Sequence, residues 1–229
     1  SAKSAIVSYF CSNLQKMTKK ERAKIVMTEL EKIYPEVPIP LNHRNAYELL
    51  VAVALSAQTT DKKVNEVTPK LFSVAPNPEK MAALEEPEIK ELIKEIGLST
   101  TKAKNLKIMA NQLLERHNGE VPSNFEDLEN LAGVGHKTAS VVMSQAFGVP
   151  AFPVDTHIHR LMYRWGFTNG KNVQQTEKDA KRIFPESCWN DLHLQIIWYG
   201  REYSPARGWN LEKDIITKTI GRKSVINEI

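Results

Sequence analysis

Apolar residues recur every three or four positions along nearly the whole chain, and this periodicity constrains the fold more than any other feature. No segment alternates apolar and polar residues for long enough to indicate a half-buried β-strand. The 229 residues are enough to bury a hydrophobic core without disulfides or metal ions. We therefore predict an all-α protein.

Capping signals divide this pattern into separate helices. The residues expected at N-cap positions are Thr18, Asp61, Ser123 and Asp155. Thr18 and Ser123 are each followed three residues later by glutamate, which is the spacing of a capping box. Gly97 is expected to end a helix. Residues 46–57 are apolar nearly all round except at Glu48, which is typical of a helix buried at the centre of a bundle.

Composition excludes several classes of protein. The two cysteines, Cys11 and Cys188, cannot form a disulfide framework or a four-cysteine site for zinc or an iron–sulfur cluster. The longest apolar run, residues 49–57, is far shorter than the roughly 20 residues that cross a bilayer, so we expect no membrane partner. The whole net charge of +4 comes from residues 1–34, so the rest of the chain must bind nucleic acid with locally placed groups.

Residues 131–142, LAGVGHKTASVV, predict a helix, a tight turn at Gly133-Val134-Gly135 and a second helix. The glycines permit a sharp turn and leave backbone N–H groups uncovered beside the positive end of the second helix dipole. Such a surface suits a phosphate. Most Gly-x-Gly turns only connect helices, so the turn by itself leaves both interpretations open.

Two charged residues near this turn have a chemical and a structural interpretation. Lys137 falls in the first turn of the second helix, where dipole and desolvation would disfavour the ammonium form and favour a nucleophilic amine. A solvated surface lysine explains the same position. Asp155 is either an N-cap alone or a carboxylate that faces a cationic transition state. His157 and His159 are two residues apart and point to different sides of a helix, which argues against a metal site.

The chain also resembles a known family, the helix-hairpin-helix DNA glycosylases, and specifically endonuclease III. The resemblance rests on LLVAVALSAQTTD at 49–61, IGLSTTKAKNL at 96–106 and two further segments at 117–161 and 172–185. It implies a two-lobed helical fold with DNA bound in a central cleft between the lobes. A central lobe would cover 43–155 with the hairpin at about 124–147, a terminal lobe 21–42 and 156–229, and an N-terminal extension 1–20.

The resemblance assigns roles to the two charged residues. Lys137 falls on the family's catalytic lysine, and Asp155 falls on its catalytic aspartate in a Val-Asp-Thr-His motif. By this resemblance the lysine attacks C1′ of a damaged pyrimidine nucleotide, expels the base and holds the sugar as a Schiff base, after which β-elimination nicks the strand. The expected activity is that of a bifunctional DNA glycosylase and abasic-site lyase acting on oxidised pyrimidines in base excision repair.

The resemblance also implies DNA contacts. Gln58 and Leu98 fall on two positions that intercalate when the damaged base is extruded. The other expected contacts are the DNA-binding residues Gly133, Val134, Gly135 and Thr138, and the lesion-pocket residues Ser56, Asp61 and His157. A buried structural hydrogen bond explains each of the three pocket residues about as well. The implied partner is damaged double-stranded DNA, bound by a monomer inside a bacterial cell.

One segment departs from the family. Endonuclease III usually ends with four cysteines that ligate an iron–sulfur cluster, whereas residues 198–221 of this chain contain none, and Ser204 stands where the first is expected. We therefore expect no cofactor. The aromatic residues Trp198, Tyr203 and Trp209 are expected to pack the space that a cluster would occupy.

Two other functions remain as alternatives. A monofunctional glycosylase of the adenine-removing type would use water and need no lysine nucleophile, so Lys137 argues against it. A non-catalytic protein that binds lesion DNA would have no reason to keep both Lys137 and Asp155.

Overall fold

The computed structural model describes residues 17–227, and within this range all regular structure is helical, which confirms the predicted all-α class. The α-helices are α1 Lys19–Ile33, α2 Ala46–Ser56, α3 Asp61–Val74, α4 Pro78–Ala83, α5 Glu86–Leu92, α6 Ser99–His117, α7 Phe125–Glu129, α8 His136–Phe147, α9 Thr156–Arg164, α10 Val173–Ile183, α11 Trp189–Glu202, α12 Ile215–Ile220 and α13 Lys223–Ile226. Residues 1–16 of the predicted N-terminal extension, with Cys11, lie outside the described range. None of the helices described is both long and apolar enough to span a bilayer.

The chain separates into two compact units. One is formed by the chain up to Pro38 together with the chain from Val154 onwards, and the other is Ile39–Pro153. We call them the terminal unit and the central unit.

Helix α2 is the centre of the central unit. Leu49, Leu50 and Leu55 are fully buried, and α2 packs against α3, α6 and α8. Glu48 is also buried, and its carboxylate accepts hydrogen bonds from the backbone N–H and the Nε of Arg44 at 2.8 and 2.9 Å. The predicted buried helix is confirmed, and its one charge is satisfied locally.

Around α2, the central unit is held by apolar packing. Helices α4 and α5 pack on α6, and α7 packs on α8. The buried apolar side chains form one cluster that extends along the chain from Leu41 to Met143. This cluster fixes α7 and α8, and with them the glycine turn that joins the two helices.

The terminal unit contains α1 and α9–α13, with α11 packed on both α1 and α9. A Cβ on Gly200 of α11 would lie 3.0 Å from Cβ of His157 and 3.1 Å from Cδ1 of Leu161. A side chain at this position would require α9 to give by a few tenths of an ångström, so glycine favours the close approach of α9 to α11. Trp165 and Tyr199 are the largest fully buried side chains of this unit.

Two predicted N-caps are confirmed. Thr18 accepts a hydrogen bond from the N–H of Glu21, whose carboxylate accepts in turn from the N–H of Thr18, so the capping box is complete. Asp155 Oδ1 accepts from the N–H of Ile158 at 2.8 Å and caps α9.

Two other predicted caps are wrong by one residue. Asn124 caps α7 in place of Ser123, and Thr60 caps α3 in place of Asp61. In both cases neighbouring polar side chains compete for one position, and the residue with an extended backbone takes it. Helix α5 ends at Leu92, earlier than the stop predicted at Gly97.

Candidate functional site

The turn between α7 and α8 forms the predicted hairpin. At Gly133 the backbone φ is +76°, in the left-handed region that favours glycine, and a Cβ there would lie 3.1 Å from Cβ of Asn105. Val134 anchors the turn from inside, because its side chain is buried and its N–H donates to the carbonyl of Leu131 at 3.1 Å. The turn is therefore fixed by a glycine conformation and by an apolar anchor.

Helix α8 begins with uncovered backbone N–H groups. Its N-cap, Gly135, has no side chain that could accept a hydrogen bond, and the first intrahelical bond runs from the N–H of Ala139 to the carbonyl of Gly135. Within residues 17–227 the N–H groups of Gly135, Lys137 and Thr138 have no hydrogen-bond partner. Such groups at the positive end of a helix dipole suit a phosphate. The N–H of Val134, by contrast, is already used inside the turn.

Lys137 is the second residue of α8, and its side chain is exposed. Its ammonium group makes no hydrogen bond or ion pair with any other residue in the described part of the chain. The predicted desolvation of this amine is wrong, since water reaches the side chain. What the structure does provide is an unpaired amine next to uncovered backbone amides.

Gln58 and Leu98 lie on two loops of the central unit that touch each other. Both have left-handed backbone, with φ of 57° and 58°, and both side chains are exposed, Leu98 at 57%. This conformation is unfavourable for residues other than glycine, and it persists only where the surroundings enforce it. The contact between the loops includes a hydrogen bond of 3.2 Å from the N–H of Gly97 to Oγ1 of Thr59. An exposed amide and an exposed apolar side chain are thus held on neighbouring loops.

In the terminal unit, Asp155 and His157 stand at the start of α9. Asp155 is half-buried and uses Oδ1 for the cap. His157 is half-buried as well, and Arg160 donates to its Nδ1 at 2.9 Å, so the neutral ring carries its proton on Nε2. Burial is the largest influence and lowers the pKa of His157; the charge of Asp155 opposes this, while Arg160 adds to it.

Two of the predicted pocket residues have local roles. The hydroxyl of Ser56 donates to the carbonyl of Val53 at 2.7 Å inside α2. Asp61 is the first residue of α3 and is half-buried. Their part in a lesion pocket stays a prediction.

Residues 198–221 are held by polar and aromatic contacts. Ser204, at the predicted position of the first cysteine ligand, is buried, and its hydroxyl accepts from Arg164 at 2.7 Å. Its carbonyl accepts from Arg160 and Arg164, both at 3.0 Å. The guanidinium of Arg164 also lies 3.8 Å from the ring centroid of Trp209. Trp209 in turn donates to the buried carboxylate of Asp214 at 2.8 Å.

This segment does not fit an iron–sulfur cluster. It offers no thiolate, and no group of three or more histidine, cysteine or acidic residues within the described range could hold a metal ion. Cys188 lies before the segment, and its thiol donates to the carbonyl of Pro185 at 2.9 Å.

The three aromatic residues expected in this segment make separate contacts. Trp209 joins Arg164 and Asp214, whereas Tyr203 lies against Tyr199 with ring centroids 5.1 Å apart. The indole of Trp198 donates to the carbonyl of Pro38 at 3.1 Å. Of the three, only Trp209 contacts the arginines that hold Ser204.

Lys102 was not foreseen as a functional residue. It lies on α6, is only 7% exposed, and binds the loop that carries Gln58. A signal was present in the sequence, because Lys102 shares a helix face with the apolar residues Leu106 and Leu113. A lysine on an apolar face marks either a snorkelling side chain or a buried ammonium with carbonyl partners.

Known proteins are similar to this chain over most of its length. The model of the HhH-GPD superfamily of base excision DNA repair proteins matches residues 51–186. The endonuclease III of Haemophilus influenzae is 44% identical over 191 residues, which cover 83% of this chain and 90% of that protein. The endonuclease III of Escherichia coli K12 gives the same identity and coverage.

The similarity extends to three dimensions. A solved structure of a trapped covalent intermediate of endonuclease III with DNA, an estranged-adenine complex, has a TM-score of 0.88 at 37% identity, covering 93% of this chain and 100% of that chain. The matched family range contains the glycine turn, Lys137 and Asp155 together with Gln58 and Leu98. The chain therefore belongs to the HhH-GPD superfamily of base excision DNA repair proteins and, within it, to the endonuclease III family.

Proposed function

We propose that this protein is a bifunctional DNA glycosylase and abasic-site lyase that removes oxidised pyrimidines from duplex DNA in base excision repair. The observation that carries the proposal is Lys137, an exposed and unpaired amine beside the uncovered amides of α8. Its relatives named endonuclease III, and the trapped covalent intermediate of one such enzyme with DNA, support the same chemistry.

In this proposal Lys137 is the nucleophile. Its neutral amine forms a bond to C1′ of the damaged nucleotide while the bond from C1′ to the base breaks, and the base leaves with a proton. The bond from C1′ to the ring oxygen O4′ then breaks, O4′ takes up a proton, and the nitrogen lone pair completes a protonated Schiff base between Nζ and C1′. This cation acidifies the C2′ proton, and removal of that proton expels the 3′ phosphate and nicks the strand.

Asp155 stabilises the positive charge that develops on the sugar. A carboxylate is suited to this task because opposite charge near a developing cation lowers the barrier. The cap uses only Oδ1, and Oδ2 accepts no hydrogen bond from any residue in the described part of the chain, so Oδ2 can face the sugar or transfer a proton.

The amides at the start of α8 hold a phosphate of the damaged strand. Backbone contacts of this kind fix position and carry no sequence information, and the affinity they provide falls with rising salt. Gln58 and Leu98 enter the duplex when the base is extruded: Leu98 as an apolar wedge between bases, Gln58 as a hydrogen-bonding partner for the orphaned base.

The lysine amine and the aspartate carboxylate suffice for this chemistry, and we propose that no cofactor takes part. The protein acts as a monomer on damaged duplex DNA inside the cell. Sedimentation of the free protein tests the monomer.

Borohydride trapping on abasic and oxidised-pyrimidine duplexes tests the function. The wild-type protein should form a covalent adduct with both duplexes. Lys137→Ala and Lys137→Arg should form none, because a guanidinium keeps the charge but is not a nucleophile. Lys137→Arg should still bind the abasic duplex, which separates chemistry from binding. Lys178→Ala, which removes an exposed lysine of α10, serves as the matched control and should trap normally.

The same assay separates the alternatives. A protein that released bases without trapping would be a glycosylase that uses water. A protein that bound the lesion and neither trapped nor released a base would be a non-catalytic binder.

A further inference from the structure

A buried lysine joins the two loops that carry Gln58 and Leu98. Lys102 donates to the carbonyl of Leu55 at 2.9 Å, the carbonyl of Ala57 at 2.5 Å and Oγ1 of Thr59 at 3.4 Å. Within residues 17–227 it forms no ion pair with a carboxylate. The hydrogen bonds of its ammonium therefore go to the end of α2 and to the loop that follows.

The partners of Lys102 explain why an ammonium is stable there. The last carbonyls of a helix have no intrahelical donor and lie at the negative end of the helix dipole. Leu55 is in the last turn of α2, and Ala57 is its C-cap. A buried cation and a set of carbonyls that need donors thus satisfy each other. Burial nevertheless lowers the pKa of Lys102.

The same residue also holds the second loop. The backbone N–H of Lys102 donates to the carbonyl of Leu98 at 3.0 Å, while its side chain holds the carbonyl of Ala57, immediately before Gln58. One residue therefore fixes the backbone on both sides of the contact between the loops. The first held position, Ala57, adjoins left-handed Gln58, and the second, Leu98, is itself left-handed, a conformation that residues other than glycine adopt only under constraint.

We propose that Lys102 is a positioning residue for base extrusion, whose ammonium locks the two loops so that Gln58 and Leu98 enter the duplex together. This inference rests on the proposed function. It assigns Lys102 no contact with DNA and no part in the chemistry at C1′. Loss of the ammonium should therefore impair the extrusion of a stacked base and spare the attack of Lys137 on a sugar that is already accessible.

Lys102→Met provides the test, because methionine keeps a long apolar side chain and removes the donors. The matched control is Lys107→Met on the same helix. Lys107 also donates to two carbonyls, those of Ala82 at 3.3 Å and Leu84 at 2.5 Å, but at the end of α4, and its Nζ lies 3.7 Å from the carboxylate of Glu85. Both variants lose one positive charge, so a general electrostatic effect on DNA binding should be equal in the two.

Two substrates separate extrusion from chemistry. The first is an oxidised pyrimidine in a fully paired duplex, and the second is the same lesion inside a short bubble of mismatched pairs. Under single turnover, Lys102→Met should slow excision from the duplex by about tenfold to a hundredfold, as expected when reacting groups are misplaced by around an ångström. Excision from the bubble should stay close to wild type. Lys107→Met should behave like wild type on both.

A spectroscopic signal follows the loops directly. With 2-aminopurine as the base opposite the lesion, wild-type binding should raise fluorescence, because extrusion removes the pairing partner of that base and the entering side chains weaken its stacking. Lys102→Met should reduce this rise, whereas Lys107→Met should not. Equal slowing on duplex and bubble, or an unchanged fluorescence rise, would overturn the proposal.

A second variant decides the matter if Lys102→Met does not fold. Gly97→Ala places a Cβ 3.3 Å from the carbonyl oxygen of Gln58 and from Oγ1 of Thr59, so it crowds the loop contact while the ammonium of Lys102 and its carbonyl partners stay in place. The Gly97→Ala variant should show the same preference for the bubble substrate. Equal excision from duplex and bubble, relative to wild type, would overturn the proposal. If the wild-type protein processes neither substrate, the proposed function has failed; if wild type is active and the variants match it, only the role of Lys102 has failed.

Discussion

The central and terminal units are stabilised in different ways. In the central unit, buried apolar side chains of α2, α3, α6 and α8 form a continuous cluster. The terminal unit also buries apolar side chains such as Leu30 and Leu161, but a buried carboxylate lies among them. Asp214 accepts from the hydroxyl of Tyr199 at 2.8 Å, the indole of Trp209 at 2.8 Å and the N–H of Thr217 at 3.1 Å. The hydroxyl of Thr217 accepts from the indole of Trp165 at 3.0 Å. We call these five residues the Asp214 network.

The difference concerns residues 198–221, which lack the cysteines expected from the family resemblance. The segment of the terminal unit that lacks the expected cysteines is tied to α9, α11 and α12 by hydrogen bonds and by one arginine over an indole. Apolar packing tolerates changes of shape at constant volume, whereas a buried polar network tolerates almost no change of donor or acceptor. We therefore expect a shape-conserving change of a polar group to destabilise the terminal unit strongly. A volume-conserving change of an apolar side chain should destabilise the central unit only weakly.

The largest expected effect is at Asp214. Asp214→Asn keeps the shape but turns one acceptor into a donor that faces N–H or O–H groups, so it should cost about 2 to 3 kcal/mol of unfolding free energy. Leu50→Met in the central unit conserves volume and should cost about 1 kcal/mol or less. Denaturant titration gives the totals, and hydrogen exchange by mass spectrometry shows which unit opens. An unchanged unfolding free energy in Asp214→Asn would contradict the contrast between the units.

A smaller effect is expected at Trp209. Trp209→Ala removes the ring under Arg164 and a donor to Asp214, and it should cost about 2 kcal/mol. Trp198→Ala removes an aromatic ring of the same segment that lies outside the Asp214 network, and it should cost about 1 kcal/mol or less. Melting temperatures of the two variants provide the measurement. Equal shifts would show that the network contributes nothing beyond aromatic burial.

The smallest effect is a pH dependence confined to the terminal unit. His193 is fully buried, and burial lowers its pKa, as it does for His157. As the pH falls below about 6.5, His193 takes up a proton in the unfolded chain but stays neutral in the folded chain. The free energy of unfolding therefore falls by on the order of 1 kcal/mol. The stability is fully present above that pH. Hydrogen exchange in 154–227 should quicken between pH 7 and 5 more than in 39–153, and His193→Gln should flatten that trend.

The sequence predicts the helices well because helical periodicity reports burial directly. It places two caps one residue away, since adjacent polar residues such as Ser123 and Asn124 compete and only the local backbone decides. It points to Lys137 and Asp155 through resemblance to the family motif, and their catalytic roles stay predictions. It could not predict the left-handed backbone at Gln58 or Leu98, because neither residue type favours that conformation.

The sequence could not predict the Asp214 network either. Its partners are separated by up to 52 positions along the chain, as for Trp165 and Thr217, and no local pattern marks a hydrogen bond between distant side chains. Lys102 is an intermediate case. Its place on an apolar face was visible, but its carbonyl partners, 47 and 45 positions away, were not.

The backbone at Gln58 and Leu98 also limits how such a repair protein can evolve. Glycine at either position would relax the folded backbone and would delete a side chain that we propose enters the damaged duplex. Under the proposed function, backbone stability and repair speed are therefore opposed at these two positions, and a lineage that improves one there gives up some of the other.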